Sequence, residues 1–129
     1  MTYELPVRKG VNTIVLKFAE MYFQNRGQRV FNIKIGSRII LENFDVIEKS
    51  GGKYAAHEEY IEVEVRADGV YYAGSKIPQG LENNKLKMTF SKGKADNPIV
   101  QAIIVYQDSV ANSPKAEFEL LKSKWSSQQ

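Results

Sequence analysis

The 129-residue sequence has no cysteine and one histidine, His57. Without cysteine there is no disulfide framework, no thiolate metal site and no thiol nucleophile. A single histidine with no second at ligand spacing is not a zinc motif, and no serine-centred nucleophile pattern accompanies it. The sequence therefore predicts a protein that is not an enzyme and needs neither metal nor cofactor. His57, beside Glu58 and Glu59, is left to orient a loop by hydrogen bonding. No run is long and apolar enough to span a bilayer. The start, Met1-Thr2-Tyr3-Glu4-Leu5-Pro6, lacks the basic head and apolar stretch of a leader, so as written the chain is expected in the cytoplasm. Charge of one sign is also scarce. The net charge is +3 and the pI about 9.0, with the charges interspersed rather than in a basic block, so no nucleic-acid role is read.

What is present is ordinary globular composition, 43% hydrophobic and 26% charged, in a length suited to one core. The patterning is mostly of period two. Val11 to Phe18 reads as a strand. Arg29 to Ile35 places Phe31, Ile33 and Ile35 on an inward face. Gly36-Ser37 turns the chain into Arg38-Ile39-Ile40-Leu41, giving a hairpin. Asn43 to Ile47 is a further strand candidate, with Asp45 capping or pairing inside the fold. Ser50 to Lys53 is a loop. Tyr60 to Arg66 alternates, with Ile61, Val63 and Val65 inward. Asp68-Gly69 turns into Val70-Tyr71-Tyr72, and Lys85 to Phe90 points Leu86, Met88 and Phe90 inward. Gly93 to Pro98 reads as a loop, and Ile99 to Tyr106 as a central strand buried on both faces. Short strands with regular turns predict an all-β antiparallel sandwich over residues 1–112. Residues 113–129 differ. Ser113-Pro114 signals a helix start, and Phe118, Leu121 and Trp125 recur at helical spacing, predicting a short helix from about Lys115 to Lys124.

The stretch Leu16-Lys17-Phe18-Ala19-Glu20-Met21-Tyr22-Phe23 ends a strand in two adjacent aromatics and a polar loop, Gln24 to Gln28. Within a strand such neighbours point to opposite faces, but at a strand end the chain turns and both rings can face one cleft. Aromatics with a few polar groups suit a ligand site. The alternative is packing at the core or rim. Glu20 is placed to pair with Arg29 or Arg26 and so hold the loop that presents Tyr22.

That stretch, with Arg29-Val30-Phe31-Asn32-Ile33, Asn43-Phe44-Asp45-Val46, Ala56-His57-Glu58-Glu59 and Lys92 to Ala102, resembles the malectin domain from about Tyr3 to Pro114. The resemblance implies a lectin-like β-sandwich without catalytic activity, binding glucose-containing oligosaccharides in some members. Members are known from the endoplasmic reticulum lumen, from extracellular receptor domains and from cytoskeletal motor proteins. It implies Tyr22 and Phe23 as the cleft aromatics and Asp96 as the sugar-contacting carboxylate, with Glu20, His57 and Asn97 in support. Read alone, Asp96 fits a local turn before Pro98 better than a ligand contact, and the resemblance brings the two readings level.

One departure stands out. The family's domain normally begins with a segment carrying a Gly-rich turn and further cleft tyrosines, and Tyr3 and Tyr54 do not occupy those places. The sandwich is thus expected to be incomplete at its N-terminus. Either the sugar site is kept, or it has decayed in an interaction module of a larger cytoplasmic or cytoskeletal assembly. A sandwich lacking a strand exposes unpaired backbone, so the chain is expected to be marginal alone or completed by a partner strand. Phe118, Leu121 and Trp125 then either dock a protein partner or fold back on their own sheet.

Overall fold

The computed structural model describes residues 1–109, so the helix predicted near Lys115 to Lys124, with Phe118, Leu121 and Trp125, lies outside the described residues. The elements are β1 (Thr2–Pro6), β2 (Gly10–Ala19), β3 (Val30–Ile35), β4 (Arg38–Phe44), α1 (Val46–Ser50), β5 (Ala56–Arg66), β6 (Gly69–Tyr72), β7 (Ser75–Lys76), β8 (Leu81–Glu82), β9 (Lys85–Ala95) and β10 (Ala102–Tyr106). One sheet runs β1-β9-β3-β4, with β8 beside β9, and the other runs β10-β2-β5-β6-β7. Neighbouring strands are antiparallel, and the longest ladder joins β2 to β5 from Gly10↔Val65 to Ala19↔Ala56.

The alternation predicts the core. Ile14, Leu16 and Phe18 on β2 and Ile61 and Val63 on β5 meet Phe31, Ile33 and Ile35 on β3 and Leu86, Met88 and Phe90 on β9. Each set occupies alternate positions, hence one face of its strand. Burying each of these side chains contributes about 1.5–3 kcal/mol, which makes the sheet-on-sheet contact the main source of stability. At one end the core turns aromatic. The ring centroid of Phe44 lies 4.7 Å from that of Phe18 and 5.6 Å from that of Phe31. This rigid cluster underlies the strand ends from which Glu20 and Arg29 emerge.

Three segments differ from the sequence expectation. Asn43 to Ile47 is not a separate strand, because Asn43 and Phe44 close β4 and Val46 and Ile47 open α1. Asn43 adopts φ 52°, ending β4 at Phe44. Asp45 then caps α1, its Oδ1 accepting the N–H of Ile47 at 3.1 Å and of Glu48 at 3.3 Å. An apolar pair after a capping residue reads as strand or helix equally, and here Val46 and Ile47 are buried from a single helical turn.

Gly93 to Ala95 belong to β9 rather than to a loop. The ladder shifts between Val30↔Ala95 and Phe31↔Lys92. A Cβ on Gly93 would stand 2.6 Å from the Val30 carbonyl oxygen. Glycine here permits close strand approach at an irregular ladder, not a turn. Lastly, of the run from Ile99 to Tyr106 only Ala102–Tyr106 forms a strand, and among the described residues β10 lies at a sheet edge, with Ile104 43% exposed. Its apolar run arises because Ile103 and Val105 pack on the core while Ile104 faces outward beside β2.

Candidate functional site

The loop of residues 20–29 joins β2 to β3 across the end of the sandwich, and it is pinned throughout. Glu20 is 2% exposed. Its Oε1 accepts from Arg29 Nε at 2.7 Å and its Oε2 from the Tyr22 N–H at 3.2 Å. Its carbonyl accepts the Tyr54 N–H at 2.9 Å. Further along, Gln28 Oε1 accepts the N–H groups of Gln24 and Asn25, and Asp45 Oδ2 accepts that of Gly27 at 2.6 Å. A carboxylate so withdrawn from water requires a cation, and Arg29, with 12% of its side chain exposed, supplies it.

Arg29 gathers the rest. Its Nη1 donates to the Asn97 carbonyl at 2.7 Å and lies 3.5 Å from Asp96 Oδ1. Its guanidinium carbon sits 5.1 Å from the centre of the Phe23 ring, a cation–π contact. Phe23 in turn holds Tyr22, the two rings meeting edge to face at 4.8 Å. Tyr22 remains 73% exposed. Asp96 sits in the left-handed region at φ 57°, just past the end of β9, and its Oδ1 accepts the Asn97 N–H at 2.7 Å. That local bond is a turn role, yet the side chain stays 42% exposed beside Arg29. A recess of about 370 Å³, lined by Phe90, Lys92, Asn97 and Pro98 among others, adjoins this corner.

Through Arg29 the structure thus links Tyr22, Phe23, Asp96, Glu20 and Asn97. His57 is not linked to them. It lies within β5 rather than at a loop, its Nε2 2.8 Å from Glu59 Oε1 on the same strand and its ring 6.0 Å from that of Phe44. Arg29 is the residue whose weight the sequence understates. As one of two arginines in a polar loop, with Arg26, it reads as a partner for Glu20 only, because the link to residues 96–97 depends on β3 and β9 being neighbours. Tyr54, tied to Glu20 by its backbone and 64% exposed, is a further aromatic near this loop that periodicity does not mark.

The arrangement offers an exposed aromatic ring, a carboxylate acceptor and a fixed cation. This suits stacking against an apolar face and accepting hydrogen bonds from hydroxyls. Elsewhere, on the outward face of the β10-β2-β5 sheet, burial pushes the Tyr60 hydroxyl up to about 12, with its bond to Glu58 adding to the effect. Asp68 is held below the usual carboxylate range by the Tyr71 hydroxyl. Among the described residues no helix is long and apolar enough to cross a membrane.

Two antiparallel sheets closed on one core, with a hydrogen-bonded loop joining β2 to β3, define an antiparallel β-sandwich. The family model for the malectin domain matches residues 1–103, and the chain belongs to that family. It is 32% identical over 116 residues to malectin of Mus musculus and 31% identical to malectin of Homo sapiens. Each match covers 89% of this chain and 38% of the relative, so the chain spans about two fifths of the length of these proteins. The fold resembles the ANX2 ectodomain from Arabidopsis thaliana at a TM-score of 0.65 and 18% identity, covering 85% of this chain and 29% of that one. The ANX1 ectodomain from the same plant is similar, with a TM-score of 0.61 and 18% identity over 85% of this chain and 28% of that one.

Proposed function

We propose that this domain is a non-enzymatic carbohydrate-binding module whose ligands are glucose-containing oligosaccharides. The observation that carries the reading is the Tyr22 ring, 73% exposed yet fixed edge to face on Phe23, on a loop tied through Arg29 to the half-exposed Asp96. Membership of the malectin domain family supports it. Tyr22 stacks on the C–H face of a sugar ring while Phe23 backs it, and Asp96 accepts from neighbouring hydroxyls. Glu20 and Asn97 position these groups through Arg29. Binding is weak, because sugar hydroxyls exchange bonds with water for bonds with protein at little net gain. Nothing in the comparisons favours a cytoskeletal module.

The test is an amide NMR titration with glucose-containing disaccharides. The proposal predicts saturable shifts in residues 20–29 and 95–98 that Asp96→Ala abolishes. Well-dispersed signals that stay still throughout overturn it.

A further inference from the structure

Among the described residues two aromatic side chains are more exposed than buried, Tyr22 and, at 64%, Tyr54. They lie far apart in sequence, yet both hang from Glu20. The Glu20 carboxylate accepts the Tyr22 N–H. The Glu20 carbonyl accepts the Tyr54 N–H, just past the Ala19↔Ala56 end of the β2–β5 ladder. Tyr22 follows Glu20 by two residues, about 7 Å of chain at most. Asp45 ties the same two segments a second time. It accepts the Gly27 N–H from the loop that carries Tyr22, and it caps α1, whose end at Ser50 leads to Tyr54.

Tyr54 is also strained. Its φ is 68°, in the left-handed region that a bulky side chain avoids. The ring does not belong to the core or to the side chains packed against it. Its contact is with Lys53, whose Nζ stands 4.9 Å from the ring centre. A cation over one face of a ring leaves stacking to the other face. Strain kept at a residue whose ring adds little to packing points to a use for that ring. We propose that Tyr54 is a second stacking platform of the sugar site, taking the glucose unit next to the one on Tyr22. The inference rests on the reading of Tyr22 and Asp96 as a sugar site, and it makes the recognised unit at least a disaccharide.

The test compares methyl glucoside with a disaccharide of two glucose units by amide NMR titration. In the parent chain the disaccharide binds severalfold more tightly and alone shifts the amides of residues 52–56. Tyr54→Asn, whose side chain tolerates the left-handed backbone, loses that advantage while the melting temperature holds. Tyr54→Phe keeps the ring and keeps the advantage. Shifts confined to residues 20–29 and 95–98 with both sugars overturn the second platform and leave the first. So does an advantage that survives Tyr54→Asn, or one lost in Tyr54→Phe, which moves the contact from the ring face to the hydroxyl. No shift with either sugar overturns the underlying sugar site, and the second platform with it.

Discussion

Arg29 Nε stands 2.7 Å from Glu20 Oε1, in a pair that is almost wholly buried on the Glu20 side. The pair spans the loop between β2 and β3, and the same guanidinium continues to Phe23, Asp96 and Asn97. Removing one member of a buried pair strands the other charge. Arg29→Ala is expected to lower stability by about 3–5 kcal/mol. Replacing both, as Glu20→Gln with Arg29→Met, is expected to recover much of that loss. Urea midpoints of the two single variants and the double variant check this, and additive losses contradict it.

Asp45 performs two tasks, capping α1 through Oδ1 and holding the Gly27 N–H through Oδ2. Asp45→Ala should cost about 1 kcal/mol for the cap and about 1.5–3 kcal/mol for the charged bond to the loop. Asp45→Asn keeps the cap and should recover the first part only. Denaturant titration of both variants distinguishes the two shares.

Much of this fold is legible in the sequence because strand alternation is a local signal. Phe31-Ile33-Ile35 and Leu86-Met88-Phe90 declare their faces without knowledge of their partners. Where it misleads, the reason is equally physical. Gly93 reads as a turn residue, but its lack of a Cβ serves a close approach to Val30 on another strand. Val46-Ile47 carries too few residues for a period to show. In the candidate site, Tyr22 and Phe23 are visible as an aromatic pair at a strand end. Arg29 as their link to Asp96 is not, since the register of β3 on β9 brings residues 29 and 96–97 together.

Gly93→Ala should force β9 away from Val30, since the added methyl meets the carbonyl oxygen at 2.6 Å. A loss of about 1–3 kcal/mol is expected from such overpacking. The amide signals of Arg29, Asp96 and Asn97 should move, because the displaced segment leads directly to them. A variant with unaltered stability and spectrum would show that the ladder is looser here than described.

Tyr60 ionises at about 12 in the folded chain, against an ordinary value of 10.0. The unfolded chain therefore releases this proton first as pH rises. Stability is fully kept below pH 10.0 and falls as pH climbs through the folded value. Tyr71, raised by its bond to Asp68, acts in the same direction. Unfolding measured between these limits should show stability declining with pH, and Tyr60→Phe should flatten part of the decline. Stability that rises over this range is the opposite sign and refutes the assignment.

The most direct measurement of the central claim uses Tyr22→Ala in the disaccharide titration. At 73% exposure the Tyr22 ring adds little to packing, and Glu20 takes its bond from the Tyr22 backbone, which the variant keeps. The variant should melt at the temperature of the parent chain and give no saturable shifts in residues 20–29 and 95–98. Shifts that persist unchanged in folded Tyr22→Ala would contradict the account, placing any sugar contact away from this loop.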